Sequence, residues 1–275
     1  MICYGTNMAK PWQLLMFDKT LKKRQRLSVL KRLLGNPAGN EQCLLVTCGD
    51  NNGAINYHLA QLGGQWSFAD LETSCLEEMS ELLGVEVLLA APDSLPYTNG
   101  RFDKVVIIDV HEHLKEMLEF TNEVSRVTRM GGQVICTAPN GDESKLAVRL
   151  KHRLGMTPDE YGHVRVGLTI PQLTELMEQC GIQIQQTGSF SRLFTELLEL
   201  SINFAYVKIL APRTRARVDK GQIAPATVDQ LRSIKKSYRL YSLIYPVYWL
   251  ISKLDALLPF TEGYVVVADG TRTGS

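Results

Sequence analysis

Four short stretches hold the side chains that could do chemistry. In the first, Gly49, Asp50, Asn51 and Gly53 interrupt the chain directly after the apolar run at residues 43–47. Glycines at such a break let the backbone approach a ligand without a side chain in the way. A helix that starts there also presents unpaired N–H groups. A bare strand-to-helix turn with no ligand satisfies the same pattern. The second stretch holds Asp70 and Glu72, whose oxygens can accept from a pair of hydroxyls or cap a helix. The third is Asp93-Ser94-Leu95 before Pro96, where the acid can accept from an exocyclic amine or close a turn. The fourth, Asp109-Val110-His111-Glu112-His113, brings two acids and two imidazoles into five residues. With His163 further on, these histidines are candidates to take a proton from an acceptor.

The elements that position these residues follow from apolar periodicity. Short apolar runs at 43–47, 66–70, 85–90, 104–110 and 133–138 alternate with helical patterns at 53–62, 73–83 and 115–130. Alternation of this kind calls for a parallel sheet covered on both faces, with ligands bound outside the carboxyl ends of the strands. All four stretches fall at such ends. A helix at 169–180 and a strand at 182–187 follow. The only further strand candidate is at 264–268, so residues 190–261 form an insertion too long to be a plain loop.

Taken in order, VTCGDNNG, FADLE, APDSLPYTNGRFDKVV, DVHEHL, EVSRVTRMGGQVICTAPN and YGHVRVGLTIPQLTELMEQCGI resemble the successive motifs of class I S-adenosylmethionine-dependent methyltransferases. The likeness is greatest to the small-molecule and lipid branch. It implies an α/β, Rossmann-like doubly wound and mostly parallel seven-stranded sheet with an antiparallel last strand. The expected layout is an N-terminal helical arm over residues 1–40, a core over 41–189 and 262–272, and a helical insertion over 190–261.

The resemblance also implies roles. Gly49 and Gly53, with Asp50 and Asn51 in the same turn, line the methionine part of S-adenosylmethionine. Asp70, or Glu72 beside it, holds the ribose, and Asp93, Ser94 and Leu95 border the adenine. Asp109, Val110 and His111 sit beside the sulfonium and the acceptor. The spacing of Asp109, Glu112 and His113 resembles the element that binds a divalent cation in quinone O-methyltransferases, which implies a metal triad there. Thr47, Asn51 and Ala91 stand where the family has an acid, a glycine and an acid. They support the alternative of a non-catalytic binding or scaffold protein on the same fold.

Composition bounds the partners. Thirty Lys and Arg against 29 Asp and Glu give a net charge of +1, and no appended nucleic-acid motif appears, so no nucleic-acid partner is expected. Residues 10–32 carry eight Lys and Arg against Asp18 alone, which reads as a solvated helix face. Six scattered cysteines without metal-like spacing, and no leader pattern, indicate a cytoplasmic protein. In the insertion, Phe190, Leu193, Phe194, Leu197 and Leu198 predict an apolar helix face with Glu196 and Glu199 off it. Residues 238–258 are richer in aromatics and leucine, and Pro246 is expected to kink them or start a new helix. Two readings stand for this insertion: a cap over a small or lipid-like acceptor, or a helix lying on the inner face of a membrane beside a basic flank.

Overall fold

The computed structural model describes residues 10–49, 51–213, 224–225 and 227–274. The expected N-terminal helical arm holds two helices, α1 (Trp12–Phe17) and α2 (Lys22–Leu34), with a break between them. The break has a tertiary cause. The N–H groups of Leu21 and Lys22 donate to the Glu199 carboxylate at 3.2 and 2.9 Å, so a distant acid caps α2.

There follow β1 (Gln42–Thr47), α3 (Ala54–Ala60), β2 (Gln65–Asp70), α4 (Leu76–Leu83), β3 (Val87–Leu89), β4 (Phe102–Ile108), α5 (Met117–Val127) and β5 (Thr128–Pro139). Next come α6 (Leu146–Arg153), α7 (Ile170–Gln179) and β6 (Ile182–Phe190). The insertion holds α8 (Leu193–Phe204), α9 (Val228–Ser233) and α10 (Lys235–Ser252), and β7 (Val265–Arg272) closes the fold. The sheet has seven strands in the order β3-β2-β1-β4-β5-β7-β6. β1 to β5 pair in parallel, and β7 lies antiparallel between β5 and β6. This is the sheet that the sequence implies.

Period-two alternation explains why the central strands read as unbroken apolar runs. Leu44, Val46, Val105, Ile107, Val134 and Cys136 pack on the side of α5 and α7. Leu45, Val106, Ile108 and Ile135 face the other way, onto α2, α3 and α4. Leu27, Leu30 and Leu34 of α2 belong to that second cluster, so the N-terminal helices cover a sheet face.

Two expectations need correction. The helix expected at 115–130 stops at Val127, because Thr128 turns extended and its hydroxyl takes the Val124 carbonyl at 2.7 Å, while Thr128 pairs with Phe102. Of the two outcomes expected at Pro246, a new helix does not occur: α10 runs through it, with the ring on the exposed side. The insertion is tied to itself at its base, where Asp255 accepts from the N–H groups of Arg192, Phe194 and Thr195 at 2.9, 2.9 and 3.3 Å. An acid near the far end of the insertion thereby caps α8.

Candidate active site

At the carboxyl end of β1 the chain turns through Cys48 and Gly49 into α3. Gly49 has φ of 67° and Gly53 of 82°, the left-handed region that favours glycine. Asn51 braces this turn: its amide donates to Asn56 at 2.7 Å, and its oxygen accepts from the Gly53 N–H at 3.1 Å. Asp50, expected in the same turn, lies outside the described residues.

Asp70 has a different position from the one expected. It is 1% exposed. One carboxylate oxygen accepts from the N–H groups of Gly49 and Glu72, both at 2.9 Å, and the other from the Thr47 hydroxyl at 2.5 Å. Its acceptor capacity is spent on holding the glycine turn, so it has no carboxylate edge turned outward. Burial raises its pKa, against the lowering effect of those hydrogen bonds. Thr47, which stands where the family carries an acid, is the residue that completes this brace. Glu72, two residues on, is exposed and reaches over Gly49: a Cβ on Gly49 would fall 2.2 Å from Glu72 Oε2. The turn and this carboxylate thus border one space. Asp93 and Ser94 are exposed beyond β3. Leu95 is buried, with its N–H on Glu123 and its carbonyl on Arg126 at 2.8 and 3.0 Å.

Beyond β4, Asp109 adopts φ of 49°, a strained conformation for a residue with a side chain. It forms an ion pair with Arg26 of α2 and accepts from the Thr137 hydroxyl at 3.2 Å. Asp109 is therefore not a member of the expected metal triad. The residues that do converge are Glu112, His113 and His163, whose candidate ligand atoms lie within 4.8 Å of one another. Cys48, Glu72 and His113 meet the same criterion. Glu112 is 1% exposed, with neither carboxylate oxygen hydrogen-bonded. Burial, then the nearby Asp109, pushes its pKa well above the usual carboxylate range.

The three histidines separate clearly. His111 does not reach the site, which corrects its candidacy. It is fully buried, with Nε2 3.0 Å from the Thr121 hydroxyl and Nδ1 3.4 Å from the Cys136 thiol. Because Thr121 gives its own proton to the Met117 carbonyl, Nε2 donates and Nδ1 accepts. Burial, then the charge of Arg165, lowers the His111 pKa to about 4. Val110 beside it is likewise wholly buried. His163 is held near 3 by burial, then by His113. His113 faces the cavity. Its Nδ1 donates to the Gly162 carbonyl at 3.1 Å, which leaves Nε2 with its lone pair.

The roof over these groups was not visible in the sequence. Arg26 is buried, and Lys22 and Lys151 both bind the buried Glu196 carboxylate. The expected face of α8 shares the interior with polar groups: Thr195, Glu196 and Asn203 are buried, while Leu193, Phe194, Leu197 and Leu198 are half-buried, Leu193 and Leu197 against Ala147, Val148 and Tyr264.

Two cavities meet here. The first, about 170 Å³, lies against the ends of β1 and β4 and includes Thr47, Asn51, Asp109, Glu112, His113 and His163 in its lining. The second, about 380 Å³, lies between α1, α8 and α10 and is mostly apolar. Lys23, Asn51, Glu199 and Asn203 belong to both walls, so the first chamber adjoins the second.

The sheet order, with one reversed strand and a glycine turn at the end of β1, defines the Rossmann-like fold of class I methyltransferases. Comparison with known proteins agrees. Residues 44–136 match the family model described as a methyltransferase domain. A probable S-adenosylmethionine-dependent methyltransferase of Mycolicibacterium smegmatis is 34% identical over 94 residues, covering 34% of this chain. The match spans about a third of that relative's length (33%). Among solved structures, a provisionally assigned methyltransferase from Bacillus halodurans C-125 superposes with a TM-score of 0.58 at 16% identity, over 91% of this chain and 100% of that one. Phosphoethanolamine N-methyltransferase 2 of Haemonchus contortus, in complex with S-adenosyl-L-methionine, gives 0.57 at 17% identity, over 91% of this chain and 53% of that one. At these identities the structural likeness speaks for the fold.

Proposed function

We propose that the chain catalyses methyl transfer from S-adenosylmethionine to a small amphiphilic acceptor. The observation that carries this reading is the junction of the two cavities. A chamber of about 170 Å³ that Cys48, Asn51, His113 and several charged side chains line adjoins a larger, more apolar chamber of about 380 Å³ beneath the helical insertion.

The residues present fit the cofactor. Gly49 and Gly53 take the left-handed conformation that the tight turn needs, and the exposed Glu72 carboxylate lies directly against Gly49. In this reading Gly49, Asn51 and Gly53 hold the methionine end. Glu72 takes the ribose in place of Asp70, whose role is to brace the turn. Asp93, Ser94 and Leu95 border the base, and Asp109 forms part of the floor under the reacting centre, with Val110 packed beneath it. When bound, the cofactor supplies an electrophilic methyl group on a sulfonium, open to in-line displacement. His113 accepts the proton of the acceptor hydroxyl or amine through Nε2, with its ring oriented by Gly162. The apolar chamber takes the hydrocarbon part of the acceptor, so the reacting group points toward His113.

A second reading adds a divalent cation held by Glu112, His113 and His163. It is favoured by the buried Glu112 carboxylate, which has no partner on either oxygen. Thermal melts with magnesium, manganese or a chelator, on wild type and Glu112→Gln, test it directly. A metal-dependent rise in the wild type alone supports the cation, and no change in either protein removes it.

The main reading is tested by incubating the protein with radiolabelled cofactor and a panel of hydroxylated and aminated amphiphiles. Label should enter an amphiphile in the wild type and fall sharply in His113→Gln. A folded protein that binds neither the cofactor nor its demethylated product would favour the scaffold alternative.

A further inference from the structure

The apolar face of α10 points the wrong way for a cap. Its tyrosines turn inward onto the N-terminal arm: Tyr238 donates to the Leu15 carbonyl at 3.2 Å, Tyr245 to Thr20 at 3.2 Å, and Tyr241 to Lys19. The opposite face carries Leu240, Leu243, Val247 and Leu250, and Leu254 and Leu257 continue the row in the 3-10 turn that follows; all six are between 40% and 77% exposed. Their spacing of three and four residues makes one continuous stripe. Phe260, just beyond, is completely exposed. A stripe of this extent on an otherwise charged surface marks an interaction site.

Charge identifies the occupant. Lys235, Lys236 and Arg239 stand exposed at the first turns of α10, and Lys253 follows its end. The helix has no acidic side chain. A second copy of α10 would bring cation against cation, whereas an anionic lipid surface answers both the charge and the leucines. Trp249, 42% exposed, has the Lys253 ammonium 4.7 Å from its ring centre, which suits the boundary between headgroups and acyl chains. The stripe is also continuous with the apolar chamber, because Leu240 lies on the stripe and, with Ile244 and Tyr248, in the chamber wall. Among the described residues no helix is long and apolar enough to cross a membrane, so contact of this kind is peripheral.

We propose that the outward face of α10 docks on an anionic lipid bilayer and sets the mouth of the apolar chamber against it. On the amphiphilic-acceptor reading above, the acceptor then passes from the membrane into the chamber without crossing water.

The test is co-sedimentation of the full chain with phosphatidylcholine vesicles, with and without phosphatidylglycerol, beside light scattering of the protein alone. The variants are Leu243→Glu with Leu250→Glu, and Lys236→Glu with Arg239→Glu. All four side chains are exposed and outside both cavity walls, and cofactor binding and melting temperature check that the variants are folded. The wild type should pellet with anionic vesicles, bind them at least about tenfold more tightly than neutral ones, and release in high salt. Each double variant should lose at least about tenfold. Failure of the wild type to pellet with either vesicle overturns the proposal. So does a dimer that Leu243→Glu with Leu250→Glu dissociates, which would make a second copy the occupant. Vesicle binding without methylation of any amphiphile sinks the acceptor reading and leaves docking standing. Methylation of a detergent-dispersed amphiphile without vesicle binding does the reverse.

Discussion

Replacing Glu196 with glutamine removes the anion that joins three helices over the site. Its carboxylate binds Lys22 of α2 at 2.8 Å and also Lys151 of α6, and the Ser191 hydroxyl donates to it at 3.2 Å. Burial alone would raise its pKa, but the two ammonium groups outweigh that and hold it near 2, against an ordinary value of 4.5. At about 1.4 kcal/mol per pH unit, that depression contributes about 3 kcal/mol at neutral pH. Both lysine side chains keep about a fifth of their surface in water, at 23% and 18% exposed, so the orphaned cations can hydrate. The loss should therefore fall at the low end of what breaking a buried pair costs, about 3 kcal/mol. Because the folded pKa is depressed, the contribution is complete above about 4.5 and fades as pH falls toward about 2; at pH 3 about 1.4 kcal/mol remains. Urea unfolding of wild type and Glu196→Gln at pH 7 and pH 3 measures both numbers. A difference under about 1 kcal/mol at pH 7, or one that does not shrink at pH 3, would refute the ion-triad account.

Two other substitutions read the site itself. His113→Gln should reduce the rate constant for methyl transfer by roughly a hundredfold while leaving the dissociation constant of the cofactor unchanged, as rapid-quench and calorimetric measurements would show. Glu112 is raised by burial, so the folded protein keeps a proton that the unfolded chain gives up above about 4.5. Its stabilising effect is complete below that pH and is lost as pH rises. In metal-free buffer Glu112→Gln should thus melt higher than wild type at pH 8 and at the same temperature at pH 4. Equal melting at both values would contradict the assignment.

The sheet and its ligand edge were legible because they depend on local pattern. Apolar runs such as Val105-Val106-Ile107-Ile108 leave no alternative to a strand buried on both faces, and the glycines at 49 and 53 mark the turn directly. What the sequence hid depends on tertiary pairing. A buried ion pair and a solvated charge look identical in one dimension, so Arg26, Lys22 and Glu196 read as surface residues. Asp70 and Glu72 are two positions apart and chemically alike; only the Thr47 hydroxyl and the Gly49 N–H decide that Asp70 faces inward. The metal triad failed for a similar reason, because Arg26 claims Asp109 from outside the motif and leaves His163 to complete the cluster. In α10 the stripe was plain, but which side of it faced the protein was fixed by three tyrosine hydroxyls reaching backbone carbonyls of the N-terminal arm.

The account rests on the cofactor lying against the glycine turn with its ribose on the Glu72 carboxylate. Calorimetric titration of S-adenosylmethionine and its demethylated product into wild type, Glu72→Ala and Asp70→Ala tests this most directly. The wild type should bind both ligands. Glu72→Ala should keep its melting temperature and lose roughly tenfold or more in affinity, as expected for a hydrogen bond to a charged group. Asp70→Ala should melt well below wild type, because the Gly49 and Glu72 N–H groups and the Thr47 hydroxyl lose their buried acceptor. Undiminished binding in Glu72→Ala, or no binding to a folded wild type, would contradict the claim.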